Sequence, residues 1–197
     1  MGETIVVPAQ SVEHITRESQ GWVVVARSFG AHLDAARIDR PRFRQLVADA
    51  VCTVRELGPA DVDAVLRLDR ATIGDYPGSV ATQHTPLDQR SATPSASRRA
   101  FGAVEADGEL VAMTYVDVDV DQTRRRAETD FTVVHRDWRG RGLGTAVKAA
   151  SLLALLDDGV VRFRTGGSMD NAAILAAGDT LGYVRDEEWV TLEDHAT

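Results

Sequence analysis

Hydrophobic positions repeat along this chain with two different spacings, and these spacings predict where its strands and helices lie. Short apolar runs rich in β-branched and aromatic residues, each bounded by turn residues, predict strands. These runs cover residues 22–27, 51–57, 101–105, 110–120, 128–134, 160–165, 183–184 and 189–192. Apolar residues three and four positions apart predict helices at residues 42–50, 61–71, 145–156 and 170–180. The Asp107-Gly108 dipeptide predicts a hairpin turn between two of the strands.

One long segment has neither spacing. Residues 76–99 are rich in Ser, Thr, Pro and Gln and have few apolar positions. Loops of this length inside a compact domain are usually binding loops or disordered segments. From residue 51 onward, the predicted order is therefore strand, helix, long loop, a meander of three strands, helix, strand, helix and strand.

A glycine-rich turn joins the strand at residues 128–134 to the helix at residues 145–156. It contains Gly140, Gly142 and Gly144 and carries Arg139 and Arg141. Glycines let backbone N–H groups approach a ligand, and the first turn of a helix adds unpaired donors and a positive dipole end. With two guanidinium groups beside it, this turn predicts a phosphate site. The G-x-G-x-G spacing and the lack of a Gly-Lys-Ser/Thr ending distinguish it from the dinucleotide fingerprint and the Walker loop.

The pattern Arg139-x-x-Gly142-x-Gly144 resembles the acetyl-CoA pyrophosphate loop of the GNAT superfamily of N-acetyltransferases. The C-terminal landmarks of that superfamily also have counterparts, which are Thr165, Asn171 and Leu181-Gly182-Tyr183. The resemblance covers residues 51–193 and matches the predicted order of strands and helices. It implies an α/β (α+β) fold with a mixed, mostly antiparallel sheet flanked by helices. The acetyltransferase domain would span residues 51–197, preceded by an extra strand and helix.

The resemblance also implies which residues bind acetyl-CoA, the co-substrate. The strand end and the glycine turn would supply main-chain groups, and the arginines would contact the diphosphate. The implied residues are Val133, Val134, Arg139, Gly140, Arg141, Gly142, Leu143, Gly144, Thr145 and Asn171. Asn171 would bond the pantetheine arm or simply cap the helix that follows it. Lys148, further along the preceding helix, is expected either to reach a CoA phosphate or to lie on the surface.

Residues 1–50 are similar to the junction between the two domains of GNAT proteins related to mycothiol synthase. The matching segments are residues 21–25, 32–34 and 39–43. In those proteins the last strand of the first domain runs into the second domain. We therefore interpret residues 1–50 as an N-terminal extension with an orphan strand at residues 22–27. Because an unpaired apolar edge is a liability, this strand is expected to join its own sheet or the sheet of a partner subunit in a homodimer.

Composition restricts the function classes further. Hydrophobic residues make up 44% of the chain and charged residues 26%, and no apolar run is long enough to span a membrane. The net charge of -8 argues against nonspecific nucleic-acid binding, which needs a basic surface. The single Cys52 excludes an intramolecular disulfide, and the five histidines lack metal-ligand spacing, so no metal site is predicted. The first ten residues lack a secretory pattern, so a cytoplasmic protein is expected.

Acetyl transfer to nitrogen needs a neutral amine and a stabilised oxyanion. An alkyl ammonium with a pKa of about 10.4 is uncharged in about one molecule per few thousand at pH 7, a deficit of roughly 4–5 kcal/mol, so a base matters. By resemblance, the catalytic base stands eleven positions before the loop arginine, which is Glu128 here, with Asp130 as the second candidate. The resemblance assigns the oxyanion to the backbone N–H of Val134, where the strand leaves its neighbour.

The proton donor for the leaving thiolate is where the sequence departs from the superfamily. Many members have a tyrosine seven residues after the counterpart of Asn171, whereas this chain has Gly178. The thiolate would then take a proton from water, from a residue such as Tyr115 or Tyr76, or from no group. Asp75 and Tyr76 open the polar loop that borders the acceptor site in the superfamily. Both, together with Tyr115, are predicted to contact the acceptor.

These features predict an acetyl-CoA-dependent N-acetyltransferase that acts on a primary amine, either a small molecule or a peptide amine, by direct attack in a ternary complex. The alternative from a different class is a non-catalytic CoA-binding or protein-interaction module with the same fold. Gly178 and the polar composition of residues 76–99 favour the alternative. The phosphate loop and Glu128 favour the enzyme.

Overall fold

The computed structural model describes residues 3–75, 79–119 and 125–194, which form one eight-stranded sheet with five α-helices. The strands are β1 (Thr4–Pro8), β2 (Val23–Asp34), β3 (Thr53–Glu56), β4 (Arg98–Val104), β5 (Leu110–Val118), β6 (Arg126–Val134), β7 (Arg162–Ser168) and β8 (Val184–Glu193). The helices are α1 (Val12–Ser19), α2 (Arg40–Ala48), α3 (Val62–Thr72), α4 (Leu143–Asp157) and α5 (Ala172–Leu181). Within the described ranges, no helix is both long enough and apolar enough to cross a membrane.

The strands lie in the order β1-β8-β2-β7-β6-β5-β4-β3. Neighbouring strands are antiparallel except β6 and β7, which run parallel. The predicted fold class, a mixed and mostly antiparallel sheet flanked by helices, is therefore confirmed. The predicted hairpin joins β4 to β5, and Gly108 adopts a φ of 92° in its turn. That left-handed conformation is accessible to glycine because it lacks a Cβ atom.

The N-terminal strand belongs to the sheet of its own chain. β2 is twelve residues long and lies between β8 and β7, with both edges paired. It extends well beyond the predicted residues 22–27, because its second half is buried between two neighbours and does not need an apolar–polar alternation. The prediction of pairing with a partner subunit's sheet is corrected, since this strand has no free edge. Residues 1–20, which the sequence left undecided, form β1 and α1 at the outer side of the sheet.

The C-terminal strand signals merge into one element. The predicted strands at residues 183–184 and 189–192 are one continuous strand, β8. The four residues between them, Arg185 to Glu188, are charged and exposed, which hid the strand from the apolar pattern. They remain in the sheet because β8 pairs with β2 along this stretch. The helix after β7 begins later than the predicted residue 170, because Asn171 caps α5 by accepting from the N–H of Ile174 at 3.2 Å.

Helices cover both faces of the sheet. On one face, α2 and α4 bury residues such as Phe43 and Leu155 against the sheet. On the other face, α3 buries Leu68 near Tyr115 and Phe131 of β5 and β6. Strand β6 therefore lies between α4 on one face of the sheet and α3 on the other.

The parallel pair β6 and β7 is hydrogen bonded over only three residues on each strand. Residues 126–128 pair with residues 162–164, and beyond Glu128 and Arg164 the two strands separate. In the described part of the chain, the edge of β6 that faces β7 consequently has no strand partner over residues 129–134. Two cavities lie along this gap.

The polar loop is irregular, as predicted. Residues 79–97 contain neither an α-helix nor a strand. Asp69, which is 1% exposed on α3, holds the loop in place. One oxygen of its carboxylate accepts from the N–H of Leu87 at 3.0 Å, and the other lies 3.1 Å from Nε2 of His84. The loop is thus fixed to the α3 face of the sheet by a buried carboxylate.

Candidate active site

A cavity of about 580 Å³ lies where β6 separates from β7. All of the residues that the sequence assigns to acetyl-CoA line it, except Arg141. The other lining residues are Thr72, Asp75, Thr132, Trp138, Lys148, Ala173, Ile174, Ala176, Ala177 and Thr180. Strand β6 therefore forms one wall and α5 the other, with the glycine turn and the start of α4 between them. We call this space the cofactor cavity.

The glycine turn exposes main-chain donors to the cofactor cavity. Gly140 and Gly142 have φ values of 75° and 76°, in the left-handed region that favours glycine. Gly142 is the N-cap of α4, and the first intrahelical acceptor bond runs from the N–H of Ala146 to its carbonyl. The N–H groups of the first turn thus have no partner inside the helix, and they lie at the positive end of the helix dipole. This arrangement suits a diphosphate.

The arginine side chains beside the turn are engaged within the protein. Arg139 donates from Nη2 to Asp75 at 2.6 Å and from Nε to the carbonyl of Val134 at 3.1 Å. Arg136 lies 3.5 Å from the same Asp75 carboxylate. Arg141 stacks on Trp138, with Cζ 4.5 Å from the ring centroid, donates to the carbonyl of Asp137 at 3.2 Å and does not line the cavity. The backbone, more than the guanidinium groups, is therefore presented to a ligand.

The free edge of β6 offers two further donors. His135 donates its N–H to Val111 of β5 at 2.8 Å, whereas the carbonyl of Val134 is reached by Arg139 from the opposite side. Because peptide groups alternate in direction along a strand, the N–H groups of Val134 and Thr132 both point into the gap. The N–H of Val134, the predicted oxyanion donor, thus has the required orientation. The N–H of Thr132 has the same orientation and lies two residues closer to Glu128.

A second cavity, of about 400 Å³, lies further along the same gap. Its lining is polar and includes Glu128 and Asp130 of β6, Arg164 to Gly167 of β7, and Ser28 to Gly30 of β2. The remaining lining residues are Val6, Ala81, Thr82, Gln83, His84, Thr129, Glu187 and Trp189. We call this space the polar cavity. Its acidic side chains outnumber its basic ones, so it favours a cationic ligand.

The two carboxylates predicted as bases differ in their surroundings. Asp130 occupies a bulge in β6 and accepts from Arg98 at 2.6 Å, while Arg98 also donates to Asp117 at 2.7 Å. Glu128 is exposed, and among the described residues no side chain lies within hydrogen-bond or ion-pair distance of its carboxylate. A carboxylate without a cationic partner is the better proton acceptor. The geometry favours Glu128 over Asp130.

Of the predicted acceptor contacts, the structure corrects Tyr115 and places Asp75 beside the glycine turn. Tyr115 is fully buried, donates its hydroxyl to the carbonyl of Ala92 at 2.7 Å and lines neither cavity. Burial raises its pKa, so it is a core residue and not a proton donor. Asp75 lines the cofactor cavity, where it binds Arg139, and not the polar cavity. Tyr76 lies outside the described residues.

Lys148 is not on the surface, which was one of the two positions expected from the sequence. It is 2% exposed, lines the cofactor cavity and donates to Oγ1 of Thr165 at 3.1 Å. Burial lowers its pKa to about 7. The sequence signal for its burial is that Lys148 lies within residues 143–156, where all of the remaining residues are uncharged.

Sequence reasoning also missed the pair of His84 and Asp69. The side chains of this pair are 5% and 2% exposed. Nδ1 of His84 lies 2.8 Å from the carbonyl of Thr85, and its ring stacks on Phe131 with centroids 4.1 Å apart. His84 forms part of the wall of the polar cavity. No local pattern could have linked two residues whose contact depends on the course of an irregular loop.

Asn171 lies at the start of α5, whereas Gly178 lies within the helix. Asn171 caps the helix, which is one of its two expected roles, and also lines the cofactor cavity. Gly178 does not line the cavity, and the nearest atom to an added Cβ would be Cβ of Tyr183 at 4.0 Å. No hydroxyl group is therefore contributed by this position.

One acidic cluster lies apart from the cavities. Carboxylate oxygens of Glu105, Asp107 and Glu109, at the turn between β4 and β5, lie within 4.8 Å of one another. Glu105 is partly exposed, Asp107 and Glu109 are exposed, and none of the three lines either cavity. The cluster takes no part in the site.

Comparison with known proteins identifies the class of the fold and site. The sequence model described as "Acetyltransferase (GNAT) family" matches residues 66–182. A mycothiol acetyltransferase of Streptomyces coelicolor is 29% identical over 136 residues, which cover 68% of this chain and 43% of that protein. Its counterpart in Streptomyces griseus is 27% identical over 136 residues, covering 68% and 44%. The chain thus spans less than half the length of the curated relatives it matches.

Solved structures agree in fold. A tandem GNAT protein from the clavulanic acid biosynthesis pathway has a TM-score of 0.64 at 23% identity, covering 98% of this chain and 63% of that one. A GCN5-related N-acetyltransferase from Kribbella flavida has a TM-score of 0.64 at 17% identity, covering 98% and 68%.

Proposed function

Because the chain belongs to the acetyltransferase (GNAT) family, we propose that it is an acetyl-CoA-dependent N-acetyltransferase that acetylates a primary amine by direct attack in a ternary complex. Acetyl-CoA enters the cofactor cavity, with its diphosphate on the N–H groups of residues 140–145. Its pantetheine arm runs along the free edge of β6. The amine enters from the polar cavity.

The observation that carries this proposal is that the two cavities share one strand edge. Residues 132–134 line the cofactor cavity and residues 128–130 line the polar cavity. A thioester in the first space therefore faces an amine in the second, without crossing the sheet. Such an arrangement brings both substrates together before reaction, which direct attack requires.

Distances along the strand assign the oxyanion donor within this arrangement. Val134 is six residues from Glu128, about 20 Å along a strand, which is too far for one reacting centre to contact both. Thr132 is four residues away, about 13 Å, and the Glu128 side chain and one water span most of that distance. We therefore assign the oxyanion to the N–H of Thr132, and the N–H of Val134 to the pantetheine arm.

Each residue then has one role in the reaction. Glu128, directly or through water, takes a proton from the incoming ammonium, so that the neutral nitrogen can attack the carbonyl carbon. The N–H of Thr132 stabilises the negative oxygen that develops. The acidic lining of the polar cavity attracts the amine in its cationic form.

Binding and turnover test the proposal separately. Calorimetry with acetyl-CoA should detect a single site, and a panel of amines should then release CoA thiol above the hydrolysis background. The panel should contain small alkyl amines, peptide amines and, because the curated relatives are named mycothiol acetyltransferases, acceptors related to mycothiol. Absence of acetyl-CoA binding would refute the proposal. Binding without turnover would instead favour a non-catalytic CoA-binding module, which the lack of a hydroxyl at Gly178 supports.

A further inference from the structure

Lys148 is the only lysine in the 197-residue sequence, whose other basic side chains are arginines and histidines. It is also one of the largest fully buried side chains of the protein. A long, flexible cationic side chain is normally placed with its charge in water, and burying it is costly. A lone lysine at this position therefore calls for an explanation beyond packing.

The amine of Lys148 lies between the two cavities. The residue lines the cofactor cavity, and its hydrogen-bond partner, Thr165, lines the polar cavity. The last position at which β7 pairs with β6 is Arg164, opposite Glu128, and Thr165 is the next residue of β7. The amine is therefore at the level of the strands where the thioester and the acceptor must meet.

Few charged groups face this amine. Apart from Lys148, the charged side chains that line the cofactor cavity among the described residues are Asp75 and Arg139, which bind each other at 2.6 Å. The facing residues of β6 and α5 in that lining are uncharged, and β7 offers the Thr165 hydroxyl. Burial without a nearby carboxylate is the reason that the pKa of Lys148 falls to about 7. A group with such a pKa exchanges protons readily at neutral pH.

On the basis of the proposed function, we propose that Lys148 is the proton donor to the sulfur of the departing coenzyme A. As the amine nitrogen bonds to the carbonyl carbon, the C–S bond breaks and its electron pair stays on sulfur. The sulfur takes a proton from the Lys148 ammonium group, giving CoA thiol and a neutral lysine. Glu128 passes the first proton of the ammonium to solvent, then accepts the second proton, which the nitrogen loses as the amide forms, and releases that proton to solvent as well. Lys148 regains one proton from solvent after the products leave, so the cycle releases one proton in total.

Other groups near the site are less suited to this step. The hydroxyl of Tyr115 donates a hydrogen bond to the carbonyl of Ala92 in the core. Tyr183 lines neither cavity, and burial raises the pKa of its hydroxyl. Arginine does not release its proton in proteins, so Arg139 cannot supply one. Among the described residues that line the cofactor cavity, Lys148 is the group able to donate at neutral pH.

The single lysine allows a direct structural test. Protein labelled with ¹⁵N and ¹³C on lysine gives one side-chain signal, whose pH titration reports Lys148 alone. Coenzyme A should raise the pKa of Lys148 by about one or more, because a sulfur that shares the proton favours the charged amine. Desulfo-coenzyme A, which lacks only the sulfur, should give less than half of this change. Equal changes with the two ligands would overturn the proposal.

Kinetics provide the second test, with an aromatic amine as the acceptor because such an amine stays uncharged through the neutral pH range. The wild-type rate should fall as pH rises through the pKa of Lys148, since only the ammonium form donates. Lys148→Met should lower kcat by about 100-fold at pH 7 and remove this pH dependence, with acetyl-CoA affinity unchanged within about threefold. Lys148→Arg keeps the charge but cannot release a proton, so it should show the same loss and the same flat profile.

The outcomes separate this inference from the proposed function. If acetyl-CoA binds and Lys148→Met keeps both the wild-type rate and its pH dependence, Lys148 is a structural residue and the acetyltransferase proposal stands. If acetyl-CoA does not bind the wild-type protein, both proposals fall. A folding defect is checked by thermal unfolding. Lys148→Met, which removes a buried amine, is expected to melt no lower than the wild type.

Discussion

The two cavities along β6 are built in different ways. The cofactor cavity is made mainly by one continuous stretch, from Thr132 to Lys148, and its ligand groups are backbone N–H donors. The polar cavity is assembled from six separate segments of the chain, and its ligand groups are side chains such as Glu128 and Arg164. A site whose ligand groups are backbone atoms keeps them when a side chain is substituted. A site whose ligand groups are side chains changes its selectivity with each substitution. Under the proposed function, the first cavity serves the general chemistry of the family, and the second sets the selectivity of this chain.

The largest effect is expected from the side-chain cavity. Glu128→Gln should lower kcat with an alkyl amine acceptor by about 1000-fold at pH 7, or about 4 kcal/mol, because the ammonium group loses its proton acceptor. Acetyl-CoA affinity, measured by calorimetry, should stay within about twofold, since Glu128 does not line the cofactor cavity.

Asp130→Asn is the matched control for that variant. Asp130 lies on the same cavity, but its carboxylate is bound to Arg98, so its loss should lower kcat by less than about tenfold. A Glu128→Gln enzyme with the wild-type rate across the pH range would refute the assignment of the base. A larger loss in Asp130→Asn than in Glu128→Gln would exchange the two roles.

The contrast between the cavities also explains what could be predicted from the sequence. The glycine turn, the strand before it and the helix after it are adjacent in the chain, so their pattern was enough to predict that most of the residues assigned to acetyl-CoA lie together. Glu128 could be proposed as the base because it lies on the same strand. The polar cavity needed the position of β2 between β8 and β7, which depends on partners about 150 residues away. No local pattern contains that information.

Burial was the second quantity that the sequence did not provide. Tyr115 lies on β5, whose residues are nearly all buried, and its hydroxyl is bonded to the polar loop, so it is a core residue. For Lys148 the sequence left two positions open, a contact with a CoA phosphate or the helix surface, because a lysine usually is exposed. In the structure α4 is covered by the sheet, α2 and α5, so that few of its faces remain for solvent. For both residues, burial depended on packing that no local pattern contains.

The stability of the loop that forms one wall of the polar cavity should depend on the buried pair of Asp69 and His84. Asp69→Ala removes the acceptor for the N–H of Leu87 and the partner of His84, and leaves both groups buried. We expect the free energy of unfolding in urea to fall by about 3 kcal/mol, as for other broken buried pairs. Acetyl-CoA affinity should change little, while KM for the acceptor should rise.

Asp63→Ala, at an exposed position of the same helix, is the control and should change stability by less than about 0.5 kcal/mol. An equal loss in the two variants would show that the pair does not anchor the loop.

Lys148 at the boundary of the two cavities should make stability depend on pH. Its pKa in the folded protein is about 7, below the ordinary value of 10.5, so between these values the unfolded chain binds a proton that the folded chain does not. Stability should therefore rise with pH in this window, by about 2–3 kcal/mol between pH 7 and pH 9, and should not change through this group below pH 6. The stability difference between Lys148→Met and the wild type, measured in urea, should shrink by that amount. A constant difference would contradict a lowered pKa for this residue.

The smallest effect is expected from a side chain in the backbone cavity. Arg139 contacts Asp75 and the carbonyl of Val134, and nearly half of its side chain is exposed to solvent. Arg139→Ala should raise the Kd of acetyl-CoA by about tenfold, or about 1.4 kcal/mol, with kcat within about twofold. Part of this loss comes from the Asp75 carboxylate, which is left facing the diphosphate.

Removing that carboxylate as well tests the explanation. The double variant with Asp75→Ala should recover part of the affinity, and the coupling is read from the two single variants and the double variant. Arg141→Ala, whose guanidinium lies on Trp138 outside the cavity lining, should raise Kd by no more than about twofold. If Arg139→Ala instead weakened binding by more than about 100-fold, guanidinium groups and not backbone donors would hold the diphosphate. The two cavities would then be alike in depending on side chains, and the division between general chemistry and selectivity would not follow the division between backbone and side chain.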